Sequence, residues 1–408
     1  MVTKREPWKT DNWFVSPWNF IEEVTKDLKL PKQLKIHDST IRDGEQQAGI
    51  IFTRDEKVRI AEKLSALGVD RIEAGMPVVS PEDEAAVKEI VKRNLGPEIF
   101  VICRSVESDI RQAADCGVNG VGVGLPVNQD FIEHGLRWSL DRAIEQATKA
   151  TLVAKELGLY TSFGAIDSTR AEMDWYFNAV ERVAKEGHMD SLVVLDTFGV
   201  LSPHGASNFI RKVKERVNKP VEIHFHNTLG LAVANTIAGI LSGADVIHTT
   251  VTGIGDNSGN CCFEEVVMAL LTLYGINVNI NYEKLYEVSS FVNELAGTAA
   301  NRPIVGKKLH YIETGEFALI YKNVWAEHPT ILSSVLPRVV GHPDPEIVIG
   351  KKNGMASVEL LADKLGIALT QEEGRKVVTQ IKKQATEAKR LLTEEEFQGI
   401  VRNVKAEV

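Results

Sequence analysis

The chain has 408 residues, of which 44% are hydrophobic and 25% are charged, proportions typical of a globular protein. Its formal net charge of −9 argues against nucleic acid or an anionic membrane as a partner, because both are negatively charged. No apolar run approaches the ~18 residues that a membrane-spanning helix needs, and residues 1–7 lack the apolar core of a secretory signal, so we expect a cytoplasmic protein.

From about residue 34, strand-like and helix-like segments alternate along the chain. Short runs of apolar residues predict strands, and longer segments with apolar residues three or four apart predict helices. The predicted strands cover residues 34–38, 70–74, 99–103, 118–123, 160–165, 191–195, 221–225 and 245–251. The predicted helices follow them at residues 54–67, 81–93, 106–116, 140–157, 171–186, 204–216, 229–241 and 264–273.

This alternation predicts an α/β fold, a (β/α)₈ TIM barrel that forms a catalytic domain over residues 34–283. Residues 1–33 are predicted to form an N-terminal arm. Residues 284–408 are predicted to form a mostly helical C-terminal region, which includes the charged helix 372–390. Because TIM-barrel active sites lie at the carboxyl ends of the strands, polar residues at those ends are the candidate site.

The seventh strand ends in a possible metal site. His224 and His226 are two residues apart, so they point to the same face of the strand. Two imidazoles and one carboxylate form a metal site with open positions, and Asp43, which follows the first strand, is the candidate carboxylate. Arg42 would lie beside this site and suit a 2-oxo acid. The alternatives are structural: Asp43 could cap a turn, and His226 could be a core histidine.

Other polar residues follow the remaining strands. They are Glu73, Arg104, Asp167, Asp196, Thr197, Thr250 and Asn260. Arg104 has two possible roles, which the sequence leaves open. It could pair with a distal carboxylate of the substrate and favour a dicarboxylic acid, or it could have a structural role, either capping the helix end or forming a surface ion pair with Glu107 or Asp109.

Five motifs along the chain match one known group of enzymes. They are residues 37–49 (HDSTIRDGEQQAG), 71–77 (RIEAGMP), 195–200 (LDTFGV), 224–234 (HFHNTLGLAVA) and 253–268 (GIGDNSGNCCFEEVVM). Together they resemble the Asp-Arg-Glu family of TIM-barrel metal enzymes, whose barrels are of the pyruvate carboxyltransferase type. This family includes isopropylmalate, citramalate and homocitrate synthases and hydroxymethylglutaryl-CoA lyase.

The resemblance implies a metal centre and a reaction. Asp43, His224 and His226 would bind a divalent metal (Mg²⁺, Mn²⁺ or Zn²⁺), and Asn260 would be a further ligand or a support. The reaction would be a Claisen-type addition of an acyl-CoA, such as acetyl-CoA, to a 2-oxo acid, followed by thioester hydrolysis. The family also implies a homodimer.

The resemblance also implies how the 2-oxo acid is held. Arg42 would bind the oxo group and stabilise oxyanion charge. Glu73 would orient Arg42 through a charge-assisted hydrogen bond. Gln46 and Thr197 would contact the carboxylate of the 2-oxo acid.

Several positions depart from the synthase pattern. Asp256-Asn257-Ser258 replaces the usual Glu-Arg-Ala, and Lys352 lies where a histidine is common. The synthases end the fifth strand with a glutamate in a Glu-Asp-Ala-Ser-Arg type motif, where this chain has Ile166. They also carry a His-Glu-Ser-Gly-Ile-His type motif, whose second histidine is replaced here by Phe317. A hydrocarbon can neither take nor give a proton, so the acid/base function must lie elsewhere, with His310 as the candidate.

Three functions therefore remain open. The first is a synthase with an altered acyl donor or a relocated base, such as His310 or Asp167. The second is a metal-dependent lyase or aldolase that cleaves a hydroxy acid with the same metal site and Arg42. The third is a non-catalytic paralogue that binds metal and a 2-oxo acid. Because the metal ligands and Arg42 are intact, the synthase ranks first and the non-catalytic paralogue last.

Overall fold

The computed structural model describes residues 6–26, 28, 31, 33–298 and 302–406. The chain divides into two compact units, one formed by Trp18–Arg302 and the other by Met1–Pro17 together with Pro303–Val408. The domain boundaries predicted from the sequence, at residues 33/34 and 283/284, stay predictions. No helix in the described part of the chain is long and apolar enough to cross a membrane.

The unit Trp18–Arg302 contains a closed barrel of eight parallel strands that pair in chain order. This confirms the predicted TIM barrel. The strands are β1 (Lys35–Asp38), β2 (Arg71–Glu73), β3 (Glu98–Arg104), β4 (Gly120–Pro126), β5 (Tyr160–Ile166), β6 (Ser191–Asp196), β7 (Val221–Phe225) and β8 (Val246–Thr249).

A helix follows each strand. These helices are α1 (Arg54–Leu67), α2 (Pro81–Lys92), α3 (Glu107–Asp115), α4 (Leu140–Glu156), α5 (Met173–Glu186), α6 (Pro203–Arg216), α7 (Ala232–Ile240) and α8 (Phe263–Tyr274), and α9 (Leu285–Ala296) comes after them. Short helical turns lie at Pro17–Phe20, Glu22–Thr25, Asp43–Gln46, Pro77–Val79, Phe131–Leu136, Ser168–Arg170, Val251–Gly253 and Tyr282–Lys284.

Helix α1 shows why the sequence forms these elements. Thr53 and Glu56 form a reciprocal capping box at its start, which satisfies two backbone N–H groups that the helix itself leaves free. Ile60 and Leu64 are one turn apart and are fully buried against the barrel. Gly68 ends the helix in the left-handed conformation, with φ of 93°.

Several predicted boundaries differ from the structure by one to three residues, and two of these differences have an identifiable local cause. Helix α7 begins at Ala232 rather than at residue 229, because the Asn227 side chain accepts a hydrogen bond from the Ala232 N–H and a turn with Gly230 (φ 74°) comes first. Strand β8 ends at Thr249 rather than at residue 251, because Thr250 pairs instead with the segment at Cys262.

The inside of the barrel is charged at its amino-terminal end. The Arg71 guanidinium lies over the rings of Phe100 and Tyr160, 4.6 Å from each centroid. It donates a hydrogen bond of 2.9 Å to Glu222, which is fully buried. This layer fills the barrel below the site. It can be buried there because each of its charges has a partner of opposite sign.

The second unit is mostly helical, as predicted for the C-terminal region. Its elements are α10 (Gly315–Val324), α11 (Met355–Lys364), α12 (Gln371–Ala388) and α13 (Glu394–Ala406), helical turns at Pro329–Ile331 and Pro337–Val340, and the parallel strand pair β9 (Tyr311–Ile312) and β10 (Glu346–Ile347). Val377, Ile381 and Phe397 lie at the centre of its apolar core. In the same unit, Trp13 pairs with Val335.

Candidate active site

A cavity of about 300 Å³ lies at the carboxyl ends of the barrel strands. Its lining residues are Arg42, Asp43, Gln46, Met76, Ile102, Cys103, Arg104, Gly124, Gly164, Ile166, Leu195, Thr197, His224, His226 and Asp256. The cavity therefore brings together most of the predicted site residues, at the end of the barrel where the sequence placed them.

Three predicted metal ligands lie together in this cavity. The Nε2 atoms of His224 and His226 are 3.0 Å apart. The Asp43 Oδ2 atom lies 3.2 Å from His224 Nε2 and 3.7 Å from His226 Nε2. All three side chains are buried, and their ligand atoms lie within 4.8 Å of one another. This arrangement offers two imidazole nitrogens and one carboxylate oxygen to a single ion.

Burial and charge keep His224 and Asp43 in the forms that bind metal. Burial lowers the pKa of His224 to about 4, against the opposing effect of Asp43. Burial alone would raise the pKa of Asp43, but the Arg42 charge and the two histidines hold it well below its usual value. A neutral imidazole and an ionised carboxylate are the forms that ligate a divalent metal.

Two asparagines support the cluster. Asn260 donates a hydrogen bond of 3.0 Å from Nδ2 to Asp43 Oδ1, while its buried Oδ1 has no partner among the described residues. The Asn257 amide lies 3.3 Å from His226 Nδ1. A partner at Nδ1 fixes the orientation of a metal-binding imidazole. The donor set and the unpaired Asn260 oxygen therefore fit a divalent metal.

Arg42 is held between two carboxylates. Its Nε donates to Glu73 Oε2 at 2.5 Å, and its Nη1 donates to Asp43 Oδ2 and to Gln46 Oε1, both at 2.8 Å. Glu73 also accepts a hydrogen bond of 2.8 Å from Ser39. Glu73 thus contacts Arg42 as predicted, and Gln46 lies beside the guanidinium.

Thr197 lines the cavity, and its hydroxyl accepts a hydrogen bond of 2.9 Å from the Asp167 N–H. The fully buried Asp167 carboxylate binds the Arg170 guanidinium through two contacts of 2.8 Å. Because both of its oxygens are engaged by Arg170, Asp167 is a poor candidate for the relocated base.

Arg104 lines the cavity but already has a carboxylate partner. Its Nε and Nη2 donate to the two oxygens of Asp109 at 2.8 and 3.0 Å. The Asp109 side chain is only 1% exposed, so it depends on this cation. The geometry favours the ion pair, the second of the two roles that the sequence left open.

Ile166 places a hydrocarbon side chain in the cavity wall, where it can neither take nor give a proton. Sequence reasoning did not identify Met76, Ile102 or Leu195 as lining residues. The positions of Ile102 and Leu195 within their strands could have identified them, because alternate residues of a barrel strand point inward. Asp256 stood out in the sequence only as a departure from the family pattern. Its carboxylate lines the cavity and accepts hydrogen bonds from the backbone N–H and the side-chain amide of Asn257.

His310, the predicted acid or base, lies in the second unit. Its ring packs against that of His342, with centroids 4.7 Å apart. Burial lowers the pKa of His310 to about 4, and the charge of His342 contributes to this shift. Phe317 and His310 line the same cavity of that unit, and Phe317 is half-exposed. The acid/base role of His310 stays a prediction.

A second cluster of possible ligands lies deeper in the barrel. His37, His248 and Glu222 are all buried, and their ligand atoms are close together. The His37 and His248 rings are stacked, with centroids 4.1 Å apart and an angle of 9° between their planes. The in-plane lone pairs of two stacked rings do not converge on one ion. His248 instead contacts Glu222 at 2.9 Å. We interpret this cluster as a structural support, which sequence reasoning also missed.

The HMGL-like family profile matches residues 33–292, more than half of the chain. Homocitrate synthase AksA of Methanothermobacter thermautotrophicus is 34% identical over 398 residues, which cover 97% of this chain and 99% of that protein. The 2-isopropylmalate synthase of Methanocaldococcus jannaschii is 34% identical over 390 residues, covering 94% of this chain and 74% of that protein.

Solved structures agree at the level of the fold. Hydroxymethylglutaryl-CoA lyase from Pseudomonas aeruginosa superposes with a TM-score of 0.60 at 22% identity, covering 69% of this chain and 98% of the lyase. The family profile and the relatives carry the assignment beyond the fold, because they span the barrel and nearly the whole chain. The chain is therefore an enzyme that belongs to the HMGL-like family.

Proposed function

We propose that this enzyme is a divalent-metal-dependent synthase that condenses an acyl-CoA, acetyl-CoA in the first instance, with a 2-oxo acid. The observation that carries the proposal is the cluster of Asp43, His224 and His226 beside Arg42, which Glu73 clamps. Enzymes of this family generally depend on a divalent metal, and the similar synthases named above support the direction of the reaction. Mg²⁺, Mn²⁺ and Zn²⁺ are the candidate metals.

Each residue of the cluster has a distinct task. Asp43, His224 and His226 would hold the metal, and Asn260 would act as a further ligand or keep Asp43 in place. When bound, the metal would supply a Lewis acid that polarises the 2-oxo group. Arg42, fixed by Glu73, would donate hydrogen bonds to the oxo oxygen as negative charge develops there.

Gln46 and Thr197 would bind the carboxylate of the 2-oxo acid, because both line the cavity beside Arg42. A base removes a proton from the carbon next to the thioester, and this carbon then forms a bond to the oxo carbon. Water hydrolyses the thioester and releases free coenzyme A. Asp256 in the barrel and His310 in the second unit are the two groups proposed for the proton transfer.

The test is release of free thiol from acetyl-CoA in the presence of a panel of 2-oxo acids and each candidate metal. We expect thiol release that requires both a 2-oxo acid and the metal, and that chelation or His226→Ala abolishes. Loss of the rate in Asp256→Asn but not in His310→Asn would place the base in the barrel, and the reverse would place it in the second unit. Absence of thiol release with every pair would contradict the synthase.

A lyase or aldolase is the second candidate function, and Ile166 in the cavity wall favours it. Cleavage of a hydroxy acid can use the same metal ligands and Arg42 without the glutamate that the synthases carry. The discriminating measurement is formation of the carbonyl product of cleavage, which is a 2-oxo acid from a 2-hydroxy acid and an aldehyde or ketone from a 3-hydroxy acid. Cleavage without any thiol release in the condensation assay would assign the lyase.

The homodimer and the cytoplasmic location are also proposals. Exposed apolar side chains lie on the loops that follow the strands, around the cavity; Ile51, Val79 and Leu229 are 82%, 67% and 64% exposed in the single chain. A rim of this kind is typical of a surface that another protein covers, and a second copy of the chain is the proposed partner. Four buried free thiols support a reducing compartment.

A further inference from the structure

Part of the cavity wall consists of hydrocarbon. Met76, Ile102, Ile166 and Leu195 line it, and their side chains offer no strong hydrogen-bonding group. They come from β3, β5 and β6 and from the loop after β2, so the apolar surface spans several neighbouring strands. A substrate group that contacts this wall loses its water and receives no polar partner in return.

The wall includes a floor of backbone. Gly124 and Gly164 are register partners on β4 and β5, and both line the cavity. A Cβ atom on Gly124 would lie 3.1 Å from Ile166 Cδ1, and one on Gly164 would lie 3.7 Å from Leu195 Cδ1. The branched side chains therefore lie across the two glycines, and together they present methyl groups to the cavity.

The cations at the cavity are already neutralised. Arg42 lies between Glu73 and Asp43, and Arg104 forms a two-contact ion pair with Asp109. Among the described residues that line the cavity, these two arginines are the permanently charged cations. A second carboxylate on the substrate would find no unpaired arginine here, and the nearby Asp256 would repel it.

We propose that the cavity selects a monocarboxylic 2-oxo acid whose side chain is aliphatic and branched. This inference rests on the proposed function and adds the class of 2-oxo acid to it. The carboxylate and the oxo group would occupy the end with Arg42, and the side chain would lie against Ile102, Ile166 and Leu195. A dicarboxylic acid is disfavoured because burial of a charge without a partner is costly.

The test is direct binding, measured by calorimetry on the full chain loaded with Mg²⁺. The probes are 5-methyl-2-oxohexanoate and 2-oxoglutarate, which share the 2-oxo acid end. The first ends in an isopropyl group and the second in a carboxylate of similar shape. We expect the isopropyl compound to bind at least about tenfold more tightly, because discrimination of this size follows when a polar or charged group lacks its partner. Tighter binding of 2-oxoglutarate would overturn the proposal.

A cavity variant tests whether the wall itself makes the choice. Gly164→Ala adds one methyl group to the floor, in ordinary contact with Leu195 and with the backbone of Val123 and Gly124 at 3.6–3.7 Å. We expect binding of 5-methyl-2-oxohexanoate to weaken about tenfold and binding of pyruvate to change less than about twofold. Gly399→Ala, on α13 in the second unit, is the matched control. Equal effects on both acids would overturn the assignment of this wall.

Failure of this inference can be told apart from failure of the proposed function. Thiol release with 2-oxoglutarate but not with branched acids, lost in Arg104→Gln, would leave the synthase standing and overturn the aliphatic class. Absence of both binding and thiol release with every 2-oxo acid would overturn the synthase, and this inference with it.

Discussion

Asp38 and Asp43 are five residues apart, and burial affects them in opposite ways. Burial raises the pKa of Asp38 to about 7, because its hydrogen bonds with Thr40 only partly compensate and the Glu264 charge adds to the effect. Asp43 is equally buried, yet Arg42 holds its pKa well below the usual value. One residue is thus ready to bind a metal and the other is neutral over much of the acidic range.

The first prediction concerns the pH dependence contributed by Asp38. Below pH ~4 the carboxyl is protonated in both states, and between pH ~4 and ~7 only the unfolded chain ionises, so the free energy of unfolding falls as pH rises. The cost at pH 8 is on the order of 4 kcal/mol. Asp38→Asn should therefore gain thermal stability relative to the parent as pH rises from 5 to 8.

The measurement is the melting temperature of both proteins by calorimetry at pH 5 and at pH 8. Asp55→Asn is the control, because Asp55 is an exposed carboxylate at the start of α1. A difference between Asp38→Asn and the parent that is the same at both pH values would show that Asp38 is ionised in the folded protein.

At the scale of elements, the glycines of β4 determine how much space is left inside the barrel. Gly120, Gly122 and Gly124 alternate along this strand, and each faces a neighbouring side chain inside the barrel. At Gly120 a Cβ atom would lie 2.4 Å from the Phe100 ring and 2.8 Å from the Tyr160 backbone oxygen. The missing side chains on β4 therefore make space for the aromatic layer below and for the cavity above.

The second prediction is that Gly120→Ala destabilises the barrel. The methyl group would meet a ring packed under Arg71 and a backbone atom, neither of which can move freely. We expect a loss of about 1–3 kcal/mol of unfolding free energy, the usual result of overpacking a core. Urea denaturation would measure it, with Gly164→Ala as the matched barrel variant that meets no close contact. Equal stability of the two variants would contradict this account.

For the whole molecule, the third prediction is a dimer in solution. Light scattering should give a mass close to twice 45.1 kDa. Val79→Asp, in the exposed rim, should shift the mass toward that of one chain, because a charge would be buried in an apolar contact. Leu152→Asp, at an exposed position on α4, should not. A single-chain mass for the parent protein at every concentration would refute the dimer.

Much of the barrel was predictable because its signals are local. Each strand reads as an apolar run and each helix as a segment with a period near 3.6, and the caps that end them are short-range contacts such as that of Thr53 with Glu56. Alternation at the end of β7 also predicted that His224 and His226 point to the same face. The element boundaries were less predictable: β4 runs from Gly120 to Pro126 rather than from residue 118 to 123, and β8 ends at Thr249 because Thr250 pairs with Cys262.

The sequence by itself determined the strand–helix alternation, the end of the barrel that carries the site, and the residue types available to hold a metal and a 2-oxo acid. The tertiary structure alone decided contacts that the sequence left open or did not predict: Arg104 pairs with Asp109, Arg71 pairs with Glu222, and Ile166 lies across Gly124. These contacts depend on the distances between side chains on different strands and helices, and on burial. No local pattern encodes them, because a charge acquires its function from its neighbours in space.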